Sequence, residues 1–571
     1  MDENNITPTE PDNKNSNVIT PQNGYQPMAS SVEANTGTTS ATPAQMPGSG
    51  SLPTVQTGQP KTTGHPMRLL MAALVVVLLA VAGFAAYRAT RPKAIVTTPI
   101  ATKKDVALLR VGTNFPNPTS FYPNSTDDNV QLDENHQLFE GLTGYKDATK
   151  VSPLLAKSWT NPDANTWIFA LQHNVKFHDG NLMTAKQVAA SINQVLPTDY
   201  GQRFGATIKN VTVVDAYTVK ITTSAPDALL PNKLTFLNIF DTDNTAQLNN
   251  PVNGTGPYIV KAGTIPSTTE LDLVVNPDYW GGHVYTRALD LKSYESSSDI
   301  LAALNSHQID MGGPLTIQDQ PQVASDFSKF DIPTSGVSQL VPNTLKGGPL
   351  ANVKVRQALW LALDSVAIAK AKGVQATVAS QIVPVQIPGY DSTLTRPATD
   401  AATAKQQIAA AGYPNGFSFT LTYFSTAPLD SAMKEVQQEL KAAGVTVILD
   451  GETDGHVIEQ KALSGKADMY YNSITTDLLD GSDIMYSYVK SPSYDNPQLD
   501  ALYTQASQTL DPAKHLQILK QMSNLIYTDK STLPLYSETL TWVQAKNLNL
   551  HLSYNGIGGQ PGLNYYQMYS Q

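Results

Sequence analysis

Residues 69–87 (LLMAALVVVLLAVAGFAAY) run without a single charge between Arg68 and Arg88. A helix of this length reaches roughly 28 Å, about one hydrocarbon core. It is apolar on every face, whereas a surface helix of a globular protein keeps one polar side. The reading is a transmembrane helix over residues 67–88. A cleaved leader is the rival, because Ala80-Val81-Ala82 offers a small-x-small pattern, but the hydrophilic stretch ahead of it is long for a leader.

The span divides the chain. Residues 1–66 are built mainly from Asn, Thr, Pro, Gln, Ser and Gly, too little apolar surface to offset chain entropy, and they read as a disordered tail. Residues 89–105 read as a linker, which leaves residues 106–571 for folded domains. That part carries 30 basic and 42 acidic side chains within a chain of net charge −10. Such a surface repels a phosphate backbone, so no nucleic-acid partner is expected. The chain has no cysteine, which excludes disulfides, thiolate nucleophiles, Cys-ligated metals and a lipid-bearing cysteine anchor.

Beyond residue 106 the pattern is a dense α/β mixture. Trp167, Phe169 and Leu171 alternate on one strand face, and Val175 and Phe177 follow a turn at Asn174, which suggests a hairpin. Thr184 and Gln187 form a capping box ahead of Val188, Ile192 and Val195, the spacing of an amphipathic helix. Residues 258–261 and 271–275 read as a strand pair. Residues 417–423, 431–442 and 445–449 read as strand, helix and strand, with Gly444 ending the helix. That βαβ unit calls for parallel sheet covered by helices.

The search for chemistry finds no phosphate-binding loop, nucleophile elbow or zinc-protease motif. His173 and His178 share a short stretch without a third ligand, so His178 reads as a structural hydrogen-bonder. Asp127-Asp128 and Asp477/Asp480 are acidic pairs, a weak basis for a glycosidase. No metal, cofactor or catalytic group is expected.

Longer runs are more telling. Leu138–Asn193 contains Glu140-Gly141-Leu142, Pro153, Leu155-Ala156, Ser158-Trp159, Phe177-His178-Asp179-Gly180 and Thr184-Ala185 in order. Gly254-Thr255-Gly256-Pro257-Tyr258, Asn276-Pro277-Asp278-Tyr279-Trp280, Val355-Arg356-Gln357-Ala358 and Leu533-Pro534-Leu535-Tyr536 follow. From about Val106 to the C-terminus this series resembles the family 5 extracellular solute-binding proteins, the oligopeptide-, dipeptide- and nickel-type receptors of ABC importers. One departure is His307, which stands where the family has a helix-ending glycine.

The resemblance implies a two-lobed, type II periplasmic-binding-protein-like α/β fold with a small extra domain in lobe I. Lobe I would take residues 106–339 and regain the chain at 533–571, and lobe II would take 340–532. Hinged closure would trap a short peptide or other small solute between them. In peptide-binding members an aspartate meets the ligand ammonium, and here the matching residue is Asp477. The nearby aromatic position of the family is Ile474. The opposing wall is expected from residues 114–122, with Phe115 and Tyr122 as contacts. The rival for Asp477 is a helix cap or solvated loop residue. The implied partners are ABC permease subunits, with the membrane reached through the chain's own helix. A solute receptor works outside the cytoplasm, so the binding domain is expected there. The positive-inside count opposes this, since Arg88, Arg91, Lys93, Lys103 and Lys104 all follow the span. A receptor that senses ligand without transport, and a surface hydrolase using paired carboxylates, are the alternatives.

Overall fold

The computed structural model describes residues 103–118, 135–147, 150–243, 253–489, 491–549 and 564–570. The expected tail, the apolar segment 69–87 and most of the linker lie outside them, as do Tyr122 and Asp127-Asp128. Among the described residues no helix is long and apolar enough to cross a membrane.

A mixed twelve-stranded sheet forms the frame. At one end Val445–Glu452, Phe417–Phe424 and Met469–Thr475 lie parallel in that order. At the other, Leu109–Thr113 lies parallel to both Ala288–Ser293 and Met311–Leu315. Between these groups runs Leu533–Ala545, thirteen residues long. It is antiparallel to Met311–Leu315, Phe327–Pro333, Gly336–Pro342 and Gln375–Val378. The boundary expected between Gln339 and Leu340 falls inside Gly336–Pro342, which pairs with both Met469–Thr475 and Leu533–Ala545.

The βαβ unit is present. Its helix, Ala427–Ala442, starts four residues earlier than the sequence reading, because Pro428 occupies its first turn, where a missing N–H costs nothing. Gly444 follows at φ 84°, a left-handed residue that ends the helix.

A separate four-stranded antiparallel sheet orders its strands Ala156–Asp163, Thr166–Leu171, Thr218–Thr223, Ile208–Asp215. Trp167, Phe169 and Leu171 point inward as expected. The expected hairpin partner is wrong, however. Asn174 does adopt a left-handed turn, but Thr166–Leu171 pairs with Ala156–Asp163 and Thr218–Thr223 rather than with Val175 and Phe177. Those two side chains are buried in the core without joining the sheet. Helix Ala185–Val195 covers this sheet, with the Thr184/Gln187 capping box complete and Val188, Ile192 and Val195 buried.

The recurrent motifs meet at one buried carboxylate. Glu140 Oε2 accepts from Thr255 Oγ1 at 2.7 Å and from Trp280 Nε1 at 2.7 Å, and its Oε1 accepts from the Tyr279 hydroxyl at 3.1 Å. A Cβ at Gly254 would stand 2.1 Å from the Leu138 carbonyl oxygen, and one at Gly256 would stand 2.5 Å from that of Gln137. Steric closeness therefore explains these glycines, since neither has a positive φ. His178 closes the knot as a structural hydrogen-bonder. Its Nδ1 accepts from the Gly254 N–H at 3.3 Å, so Nε2 donates to the Gly256 carbonyl at 3.2 Å. A second knot forms where Arg356 donates to the carbonyls of Leu350, Asp529 and Lys530, and Trp360 Nε1 donates to that of Pro534 at 2.8 Å. At His307 the missing glycine is tolerated at φ 58°, with the ring against Asp326 at 2.8 Å.

Burial pushes the Glu140 carboxyl up to about 7, against the hydrogen bonds from Trp280, Thr255 and Tyr279 that favour its charge. A carboxyl raised on folding contributes stability that is full below its unfolded value near 4.3 and is lost as pH rises through about 7. Glu140→Gln should flatten that part of the pH–stability profile while keeping the fold. Glu140→Ala should cost about 3 kcal/mol or more by orphaning three buried donors. Thermal melts of both variants between pH 4 and 8 check this.

Candidate functional site

The sharpest cluster of charge lies just past the strand Met469–Thr475, where a short loop leads into the helix Gly481–Met485. Asp480 is the N-cap of that helix, its Oδ1 accepting from the Ser482 N–H at 2.9 Å. Asp477 is therefore not the cap. It is 7 % exposed, and its carboxylate is paired with the guanidinium of Arg203. Arg203 stands on the helix Asp199–Gly205. Its guanidinium lies 5.1 Å from the Phe204 ring centre, and Phe204 in turn stacks on Phe236 at 4.4 Å.

The loop is held from below by Asp483. Its Oδ2 accepts from the backbone N–H of Asp477 at 2.9 Å, from that of Leu478 at 3.2 Å and from Thr476 Oγ1 at 3.0 Å. These bonds fix the backbone of the loop, and Leu479 turns the chain at φ 48°. From above, the Leu478 carbonyl accepts from the Tyr145 hydroxyl at 2.9 Å and from Asn232 Nδ2 at 2.8 Å. Tyr145, Asn232 and Arg203 thus bring three separate elements onto two loop residues. Tyr145 also lines a recess of about 510 Å³, counting the solvent at its mouth, with Glu140, Thr235, Phe236 and Tyr566 on its walls.

Two further charges lie under the loop. His515 Nε2 is 2.9 Å from Asp480 Oδ2, and its Nδ1 is 2.9 Å from the Ala506 carbonyl. Both ring nitrogens face acceptors, which suits the imidazolium. Burial opposes that charge, yet the Asp480 hydrogen bond and charge together hold the His515 pKa above its ordinary value. Asp480 is thus engaged by a cap and a histidine, and Asp477 by an arginine, so this pair is not a free acid–base dyad. Among the described residues no group of three or more His, Asp or Glu could hold a metal ion.

The other expected contacts lie apart. Ile474 sits next to the end of its strand opposite Val337 and packs, half buried, against the main core. Phe115 is half buried just beyond Leu109–Thr113, its N–H bonded to Thr113 Oγ1 at 3.3 Å. Tyr122 lies outside the described residues. Phe115 and Asp477 both follow the carboxyl ends of strands in parallel groups, the usual position of ligand crevices in α/β sheets. Sequence reasoning missed Arg203, Tyr145 and Asn232. Arg203 is 274 positions from Asp477, and no local pattern announces such a pairing.

The model of the bacterial extracellular solute-binding proteins, family 5, matches residues 150–496. A glutathione-binding protein, GsiB, of Salmonella typhimurium is 26 % identical over 485 residues, covering 79 % of this chain and 92 % of its own. Its counterpart in Escherichia coli O157:H7 is 26 % identical over 481 residues, covering 78 % and 91 %. Among solved structures, HbpA2 of Haemophilus parasuis superposes with a TM-score of 0.72 at 22 % identity, covering 81 % of this chain and 100 % of its own. The periplasmic binding protein DppA of Helicobacter pylori, in complex with the peptide STSA, gives 0.65 at 21 %, covering 82 % and 98 %. The chain belongs to the family 5 extracellular solute-binding proteins. It has their two-lobed α/β fold, and it is a binding protein of ABC importers rather than an enzyme.

The loop electrostatics can be tested. Burial, and then the neighbouring charge of Asp477, push the Asp483 carboxyl up to about 6. Its contribution to stability is full below about 4 and is lost as pH rises through about 6. Asp483→Asn should therefore gain on the wild type by about 1–3 kcal/mol between pH 4 and 7. Denaturant unfolding of both proteins at each pH measures the difference.

Proposed function

We propose that this chain is a membrane-tethered extracytoplasmic receptor that captures short peptides between its lobes and delivers them to an ABC permease. Lobe I comprises residues 106–339 and 533–571 and lobe II residues 340–532, with Gly336–Pro342 crossing between them. The observation that carries the peptide reading is Asp477. It is a buried carboxylate on a loop held by Asp483 and paired with Arg203, and it stands beyond a parallel strand where ligands enter such folds. A peptide ammonium satisfies the same carboxylate, while peptide main-chain groups and bound water meet the surrounding polar walls. Phe115 belongs to the opposing wall, and Ile474 supplies an aliphatic surface. The Helicobacter relative was solved with a peptide, which supports this ligand class.

The tether is the apolar segment 69–87, and the missing cysteine supports a helix over a lipid. Trypsin added to intact cells should release the binding domain by cutting after Lys93. Lys104 is less suitable, because its N–H bonds the Ser570 carbonyl at 3.1 Å. Survival of the full-length chain in intact cells, with cleavage only after lysis, would contradict the topology.

The peptide reading is tested by calorimetry with trialanine and N-acetyl-trialanine. Asp477→Asn should weaken trialanine binding about a hundredfold or more, the cost of stripping a buried charge of its partner. The acetylated peptide should bind weakly to both proteins and change little. Unchanged trialanine affinity in the variant rules out Asp477 as the ammonium site.

A further inference from the structure

Resting on the reading of the ligand as a peptide, we propose that the recess lined by Phe139, Tyr145, Leu154, Phe236, Tyr279 and Tyr566 is a side-chain subsite that selects peptides carrying a phenyl ring. Its place in the fold carries the first half of the inference. The Tyr145 ring forms part of the wall, while its hydroxyl donates to the Leu478 carbonyl at 2.9 Å. Thr235 and Phe236 form another part, and Asn232, on the same segment, donates to that carbonyl at 2.8 Å. The recess therefore lies where lobe I meets the loop that follows Met469–Thr475, beside the crevice between the lobes. Gly141 and Gly144 also line it and contribute backbone only. Its volume of about 510 Å³, counting the solvent at its mouth, leaves room for one ring.

The chemistry of the walls carries the second half. Their hydroxyls are already directed at protein partners. Thr143 Oγ1 donates to the Pro231 carbonyl at 2.6 Å, Thr235 Oγ1 to that of Asn232 at 2.8 Å, and the Tyr279 hydroxyl to Glu140 Oε1 at 3.1 Å. The Tyr566 hydroxyl accepts from Gln567 Nε2 at 3.0 Å. A polar ligand group entering here gives up water for donors that are engaged elsewhere, whereas an apolar side chain gains by leaving water. The rings of Tyr279 and Tyr566 meet edge to face, their centres 5.9 Å apart, and Phe139 and Phe236 are fully buried behind the surface. A phenyl ring finds face and edge partners among them that an aliphatic chain does not. His136, Glu140 and Asn564 are the other polar side chains of the lining. Glu140 makes a lysyl side chain the rival occupant. Its carboxylate already accepts from Thr255, Tyr279 and Trp280, and burial pushes its carboxyl up to about 7, so near neutral pH it offers a cation less than a full charge.

Calorimetry on the full chain in detergent micelles compares trialanine with its three single-phenylalanine isomers and its three single-lysine isomers. The best phenylalanine isomer should bind about tenfold or more tightly than trialanine, and more tightly than every lysine isomer. Leu154 is half buried in the wall, and Leu154→Trp, which fills the recess, should remove that preference while trialanine binds as before. Leu154→Met, of similar volume, should keep it. If Leu154→Trp lowers the thermal melt, Tyr566→Trp fills the recess from another wall and should act alike. Trialanine binding with no phenylalanine isomer preferred overturns the subsite and leaves the peptide reading standing. A phenylalanine preference that survives the filling variants places the ring elsewhere and overturns it too, as does a lysine isomer that binds tightest. If no peptide of the series binds, the peptide reading itself falls.

Discussion

The strand Leu533–Ala545 is the constraint on which the architecture depends. Its ladder bonds go to four antiparallel strands, and its two ends serve different cores. Leu533, Leu535 and Tyr536 are buried with the strands and helices around Phe417–Phe424. Trp542 packs in the large cluster that includes Leu109 and Val111, and Val543 in a third cluster beneath Ser297–Asn305. The residues between, Ser537–Leu540, are only half buried. One continuous backbone therefore ties both halves of the sheet together, and its least packed part lies between two well-packed ends. A hinge needs such a place, because packed cores resist continuous deformation.

The family motifs are best understood as two knots flanking that strand. Glu140 collects the donors of Thr255, Tyr279 and Trp280, and Arg356 and Trp360 close over the carbonyls that lead into Leu533. Neither knot includes Asp477. The motifs specify the scaffold, and the loop that carries Asp477 lies outside both knots.

Local features were legible in the sequence because local physics decides them. The Thr184/Gln187 capping box and the Gly444 stop both sit where residue chemistry placed them. Strand pairing was less legible. Thr166–Leu171 showed its inward face, but periodicity carries no information on which strand lies alongside. The glycines at 254 and 256 are explained by contact with a backbone distant in sequence, which no local pattern reveals. Asp477 was found through resemblance. Its partner Arg203 was invisible, since an ion pair between distant elements leaves no trace in spacing.

Electrostatics gives the site its character. Asp483 orders the loop, Asp480 pairs with His515 beneath it, and Asp477 meets Arg203 from the helix Asp199–Gly205. The central claim is that this carboxylate receives the ammonium of a peptide. A crystal structure of the chain grown with trialanine tests it most directly. The account predicts the peptide nitrogen about 2.7–2.9 Å from an Asp477 carboxylate oxygen. A peptide bound with its amine elsewhere would contradict it.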